Sequence, residues 1–189
     1  MTFTEIAIKY ADDILHKKIV SCLAVKQACK RFKSDLEAIE NSDCPFDFNK
    51  EAVEEVCTFA ESLILPDTKQ PLKLLPWQVF VYANLYGFVY KKNPERRRFR
   101  KAFVFVARKN GKTAGLLYAN CLYQFITENA AESYLISATG DQSEKSFKEV
   151  SQIIKANSDL DSVCDCWSNA ITFDSSRLAF FSSETTALD

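Results

Sequence analysis

The stretch that most constrains this chain is Ala102-Phe103-Val104-Phe105-Val106-Ala107, followed at once by Arg108-Lys109-Asn110-Gly111-Lys112-Thr113. Six residues apolar on both faces read as a central parallel strand, because such strands have helices on both sides. From Lys112 to Glu128 the apolar residues Leu116, Leu117, Tyr118, Cys121, Leu122 and Phe125 recur at helical spacing. A buried strand that turns through Gly-Lys-Thr into a helix has the context of a phosphate-binding loop. Each part has a physical reason. Main-chain N–H groups of the loop and first helical turn converge on one place and bind a polyphosphate. Gly111 lets the backbone approach without a Cβ, Lys112 offers an ammonium, and Thr113 offers a hydroxyl to Mg²⁺. The first glycine of G-x-x-x-x-G-K-[ST] is replaced by Val106. On the motif alone, a Gly-Lys-Thr in an ordinary surface turn is the competing reading.

The pattern around this segment alternates strands and helices. Tyr134-Leu135-Ile136-Ser137-Ala138 reads as a short buried strand. Asp141 is expected to cap the next helix, with Glu144 completing a capping box and Phe147, Val150 and Ile154 facing inward. Ala170-Ile171-Thr172-Phe173 and Leu178-Ala179-Phe180-Phe181 read as two further strands, paired as a hairpin. This succession from residue 102 onward predicts an α/β fold with a mainly parallel sheet. The upstream part is helical. Residues 6–40 read as helix, with a stripe through Ile19, Cys22, Val25, Cys29, Phe32, Leu36 and Ile39, and a turn at Asn41 to Pro45. A second helix from about Asn49 to Leu63, capped by Asn49, precedes a linker punctuated by Pro66, Pro71 and Pro76. Trp77 to Tyr86 forms another apolar helix that Gly87 can end. The boundary between the helical N-terminal part, 1–70, and the next unit, 71–189, is placed at about residue 70.

Charge and composition exclude several classes. The 189 residues carry 24 Lys and Arg against 25 Asp and Glu, so any contact with nucleic acid must come from a local basic patch. The densest cluster is Arg96, Arg97, Arg98, Arg100 and Lys101 around Phe99, readable as a solvated strand entry or as a phosphate-facing edge. No run approaches the roughly 18–20 apolar residues of a membrane span. The opening Met1-Thr2-Phe3-Thr4-Glu5 lacks the basic and apolar regions of a signal peptide. Seven cysteines without a framework suggest reduced thiols. Cys164-x-Cys166 lacks the spacing of a zinc knuckle, and His16 is far off in sequence.

Several segments together resemble the N-terminal ATPase region of the large terminase subunit of tailed bacteriophages. They are Leu75-Pro76-Trp77-Gln78, Leu85-Tyr86-Gly87-Phe88, Arg97-Arg98-Phe99-Arg100, Ala107 to Thr113, and Ala138-Thr139-Gly140-Asp141-Gln142-Ser143. Tyr10 to Leu15 and Val25 to Phe32 look like that family's leading helices. A loop without its first glycine is common in the family. The resemblance implies a P-loop NTPase-type sheet, incomplete here, preceded by the α-helical segment. It implies a motor that hydrolyses ATP with Mg²⁺ and drives double-stranded DNA into a procapsid. The motor works as a homo-oligomeric ring on the portal protein, with a small terminase subunit, in the cytoplasm of the infected host and without a membrane. Lys109, Asn110, Gly111, Lys112 and Thr113 carry over as the nucleotide-binding loop, Thr113 also as Mg²⁺ ligand. Arg108 carries over as the arginine that stabilises charge on the γ-phosphoryl. Gln78 carries over as the residue that reads adenine, against an alternative as a helix-terminal cap. Gln142 matches a family glutamine with a positional role.

ATP hydrolysis also needs an apolar run ending in Asp-Glu, the Glu orienting the attacking water. Leu178-Ala179-Phe180-Phe181 leads into Ser182-Ser183, and Ile171-Thr172-Phe173-Asp174 has an Asp but no following Glu. In the family that motif lies a little beyond the stretch matching Ser182 to Asp189, and a nuclease domain follows it. The chain therefore reads as an N-terminal fragment, a truncated reading frame or a proteolytic product, one that binds nucleotide and turns ATP over slowly or not at all. Two other readings are a different P-loop enzyme such as a helicase, and a non-enzymatic fragment that retains the loop.

Overall fold

The computed structural model describes residues 1–184; the last part of the Ser182–Asp189 stretch lies outside them. In chain order the elements are α1 (Phe3–Leu15), α2 (Leu23–Ala38), β1 (Phe46–Phe48), α3 (Lys50–Ser62), β2 (Ile64–Leu65), β3 (Gln70–Pro71), α4 (Pro76–Tyr82), β4 (Phe88–Tyr90) and β5 (Asn93–Arg97). They continue with α5 (Ala119–Thr127), β6 (Glu132–Ser137), α6 (Gly140–Ala156), α7 (Ser158–Asp161), β7 (Asp165–Cys166), β8 (Ala170–Phe173) and β9 (Ser176–Ser182). Wider π-helical turns at Ala83–Gly87 and Thr113–Tyr118 extend α4 and precede α5. The chain forms two compact units, Met1–Thr58 with Leu74–Asn110, and Phe59–Lys73 with the residues from Gly111 onward. The sequence boundary near residue 70 falls inside the β2–β3 hairpin, which belongs to the second unit.

In the first unit, α1 starts at a capping box between Thr2 and Glu5. Glu54 of α3 adds a carboxylate that accepts from the N–H groups of Phe3 and Thr4 at 3.0 and 2.9 Å, where the helix dipole favours negative charge. The helical stretch expected over 6–40 is two helices. It breaks where His16 Nδ1 meets the Asp12 carbonyl and Lys17 turns left-handed, with φ 61°. Asn49 caps α3 by accepting from Ala52 N–H at 2.9 Å. The core is aromatic. Phe32 lies 5.2 to 6.1 Å from Phe48, Phe80 and Phe88, in edge-to-face arrangements. β1, β4 and β5 form an antiparallel sheet in that order. Gly87 has a steric reason: a Cβ there would enter the Phe48 ring.

In the second unit the sheet order is β6-β9-β8-β7, with β6 parallel to β9 and the other pairs antiparallel. Register puts Leu135, Phe180, Leu178, Ile171 and Phe173 on one face. Both helices cover that face: Phe125 of α5 meets Phe173 at 6.1 Å, and Phe147 of α6 meets Phe180 at 5.3 Å. The opposite face carries Tyr134, Ile136 and Phe181, of which Ile136 is 72% exposed. The sheet is therefore covered on one side only among the described residues. Asn157 ties β2 to the end of α6: its Oδ1 accepts from Ile64 N–H at 2.8 Å and its Nδ2 donates to the carbonyls of Ile64 and Ile153.

Besides the split of the 6–40 helix, and a single parallel pair among the described residues (β6 with β9) where the sequence predicts a mainly parallel sheet, two more expectations need correction. The segment from Ala102 to Ala107 is not a strand, and Phe103 and Phe105 are 91% and 90% exposed. A strand apolar on both faces needs a hydrogen-bonding neighbour and a layer on each side. None of the three sheets of the described residues includes it. The cap of α6 is Thr139, not Asp141: Thr139 Oγ1 accepts from Gln142 N–H at 3.3 Å, while Asp141 sits in the first turn.

Candidate functional site

The segment from Arg108 to Lys112 is an exposed turn. Lys109 and Gly111 are left-handed, with φ 64° and 75°. Lys112 returns to the right-handed region at φ −62°, ψ −34°. A left-handed residue followed by a right-handed one points successive main-chain N–H groups into one concavity, which suits an anion. Asn110 helps hold the turn: its Nδ2 donates to the carbonyls of Ala107 and Arg108, both at 3.2 Å. The helix begins at once, with Gly115 N–H donating to the Gly111 carbonyl at 3.1 Å. Arg108, Lys109 and Lys112 form no ion pair among the described residues, so their cations are not spent on carboxylates. The donor set is amides, an ammonium and a hydroxyl. It fits a phosphate group and a hard cation beside it.

Thr113 is half-buried and lines a cleft of about 270 Å³ together with Asp67, Tyr118, Glu149 and Gln152. Tyr118 donates its hydroxyl to Glu149 Oε2 at 2.7 Å. Burial, reinforced by that carboxylate, pushes the Tyr118 phenol up to about 12. Sequence reasoning missed Glu149, because it lies off the inward stripe of α6 and reads as solvent-facing. Gln78 is fully buried, and its Oε1 accepts from Leu75 N–H at 2.6 Å at the start of α4. That is the capping geometry. Gln142 is exposed, held through its main-chain N–H. Asp174 stands in the β8–β9 turn with φ 49°, which explains an acid there without any catalytic part. Burial pushes the Cys29, Cys121 and Cys164 thiols up to about 11, which favours the neutral thiol over the nucleophilic thiolate.

The second unit is thus an α/β unit whose helix follows a Gly-Lys-Thr turn. The family described as terminase large subunit, ATPase domain, matches residues 76–184, and this chain belongs to that family. Among solved structures, the large terminase of bacteriophage HK97 is similar, with a TM-score of 0.61 and 20% identity over 72% of this chain. The chain spans 28% of the length of that protein. At this identity the likeness shows the fold. A comparison with curated proteins found no match. Among the described residues no helix is long and apolar enough to cross a membrane.

Proposed function

We propose that this chain is the nucleotide-binding part of a DNA-packaging ATPase, in which the 108–113 turn grips the triphosphate of ATP. The observation that carries this is the Gly111–Lys112 turn, left-handed then right-handed, running straight into a helix, its lysine in no ion pair among the described residues. Lys109, Asn110 and Gly111 present main-chain amides, Lys112 neutralises the β- and γ-phosphates, and Thr113 would hold Mg²⁺. Mg²⁺, when bound, neutralises charge on the phosphate oxygens. Arg108 stabilises charge developing on the γ-phosphoryl, in its own or a neighbouring subunit. Gln78 positions the start of α4; a direct reading of adenine would require its buried carboxamide to leave Leu75. The family match beginning at residue 76 supports a division into a helical segment, 1–70, and a partial ATPase domain, 71–189.

In the whole protein the reading extends to ATP-driven entry of double-stranded DNA into a procapsid. It includes a homo-oligomeric ring at the portal, a small terminase subunit, and the cytoplasm of an infected host. Family membership supports it. The stretch 1–189 has no apolar run ending in Asp-Glu. On this reading Lys112 and Thr113 let it bind ATP, and without that Glu it turns ATP over slowly or not at all. Magnesium-dependent hydrolysis by purified 1–189 tests this: the expected result is turnover barely above background. Robust turnover abolished by Lys112→Ala would contradict the slow-turnover part and leave the binding part standing.

A further inference from the structure

The basic cluster of the first unit divides into two jobs. Arg98 is structural: its guanidinium pairs with Asp35 at 2.9 Å and lies 4.3 and 4.8 Å from the Phe46 and Phe99 ring centroids. Arg31 shares that environment, donating to Asn84 Oδ1 at 2.9 Å and stacking on Phe99 at 4.4 Å. Asp35 is thus the counter-ion already used. Arg96, Arg100 and Lys101 are exposed and form no ion pair among the described residues. With Tyr90 and Phe99 they line an open cleft of about 550 Å³ that has no acidic residue in its wall. Such a concentration of charge stands out in a chain whose formal net charge is −1.

The ring faces decide what the cleft can hold. Arg96 lies over Tyr90, 4.9 Å from its centroid, and Phe99 already carries Arg31 and Arg98. Guanidinium groups therefore already lie on these rings, one on Tyr90 and two on Phe99, which leaves little aromatic face for a base to stack on. A guanidinium laid on a ring keeps its in-plane N–H donors free, and the ring limits its motion. That geometry suits a phosphate oxygen pair. We infer that the Arg96–Arg100–Lys101 cleft docks the phosphodiester backbone of duplex DNA, read as charge and without base contacts. The inference rests on the proposed function only in taking DNA as the source of the phosphates.

The test is equilibrium binding of 1–189 to a fluorescent 30-base-pair duplex of arbitrary sequence, without nucleotide, across about 50 to 200 mM salt. Each phosphate contact contributes about 0.9 to the slope of log affinity against log salt. Arg96→Ala with Arg100→Ala is expected to lower that slope by about 1.8 and to weaken binding about tenfold or more at the lowest salt. Arg96→Lys with Arg100→Lys should restore most of the slope. Should the double alanine variant fail to fold, Arg100→Gln alone is expected to lower the slope by about 0.9. Three results would overturn the inference: no duplex binding by the parent chain at about 50 mM salt, an unchanged slope in the variants, or displacement of the duplex by polyglutamate as readily as by unlabelled duplex. ATP binding measured on the same variants stays unchanged if the loop and the cleft are separate sites, so a failure here is distinguishable from a failure of the nucleotide reading.

Discussion

The two units solve burial differently. In the first, helices and a small antiparallel sheet close around Phe32, Phe48, Phe80 and Phe88, and arginines seal the rim by lying on ring faces. In the second, a four-stranded sheet has helices on one face and leaves Tyr134, Ile136 and Phe181 on the other. The contrast teaches that a sheet, unlike an aromatic cluster, needs two layers before its apolar residues are spent. It also separates two uses of positive charge. The first unit commits Arg31 and Arg98 to Asp35 and aromatic rings but leaves Arg96, Arg100 and Lys101 exposed, while in the second Lys112, at a helix start, forms no ion pair among the described residues.

That contrast can be broken by substitution. Phe32→Ala should have the largest effect, about 3–5 kcal/mol lost in denaturant unfolding, because a fully buried ring leaves a cavity. Gly87→Ala should cost about 1–3 kcal/mol by forcing Phe48 aside. In the second unit, Asn157→Ala should cost about 1–3 kcal/mol, since the Ile64 N–H loses its partner. A subtler effect comes from alkali. Tyr118 keeps its proton in the fold until pH about 12, above its ordinary value of 10.0. Its stabilising contribution is full below pH 10 and is lost as pH rises from there through about 12. Ultraviolet titration should show a late-ionising phase, to which Tyr10 and Tyr134 also contribute, that shrinks by one phenol in Tyr118→Phe. The smallest change is expected at the open face: Ile136→Ser should shift stability by no more than about 0.5 kcal/mol, while reducing binding of a hydrophobic dye. A loss at Ile136 as large as that at Phe32 would mean the face is covered and the comparison is false.

The helices were legible because their signals are local. Asn49 capping α3 and the stripe of Leu122 and Phe125 need only neighbours in sequence. The β8–β9 hairpin was legible for the same reason. The segment 102–107 misled because its apolar pattern specifies what a strand wants, while pairing depends on a partner elsewhere in the chain. Thr139 took the cap of α6 from Asp141 because both are good caps two residues apart, and only backbone geometry chooses between them. The candidate loop was legible from Gly111, Lys112 and Thr113 as a motif. The bracing by Asn110 and the Glu149 beside Tyr118 were not, since each depends on where a side chain turns after folding.

The central claim is that the 108–113 turn holds a triphosphate through main-chain amides, Lys112 and Thr113. Calorimetric titration of 1–189 with ATP and magnesium tests it most directly. The account predicts saturable one-to-one binding that weakens at least tenfold in Lys112→Ala while the melting temperature of the unliganded protein is unchanged. No heat at millimolar ATP, or equal affinity in the parent chain and in Lys112→Ala, would contradict it.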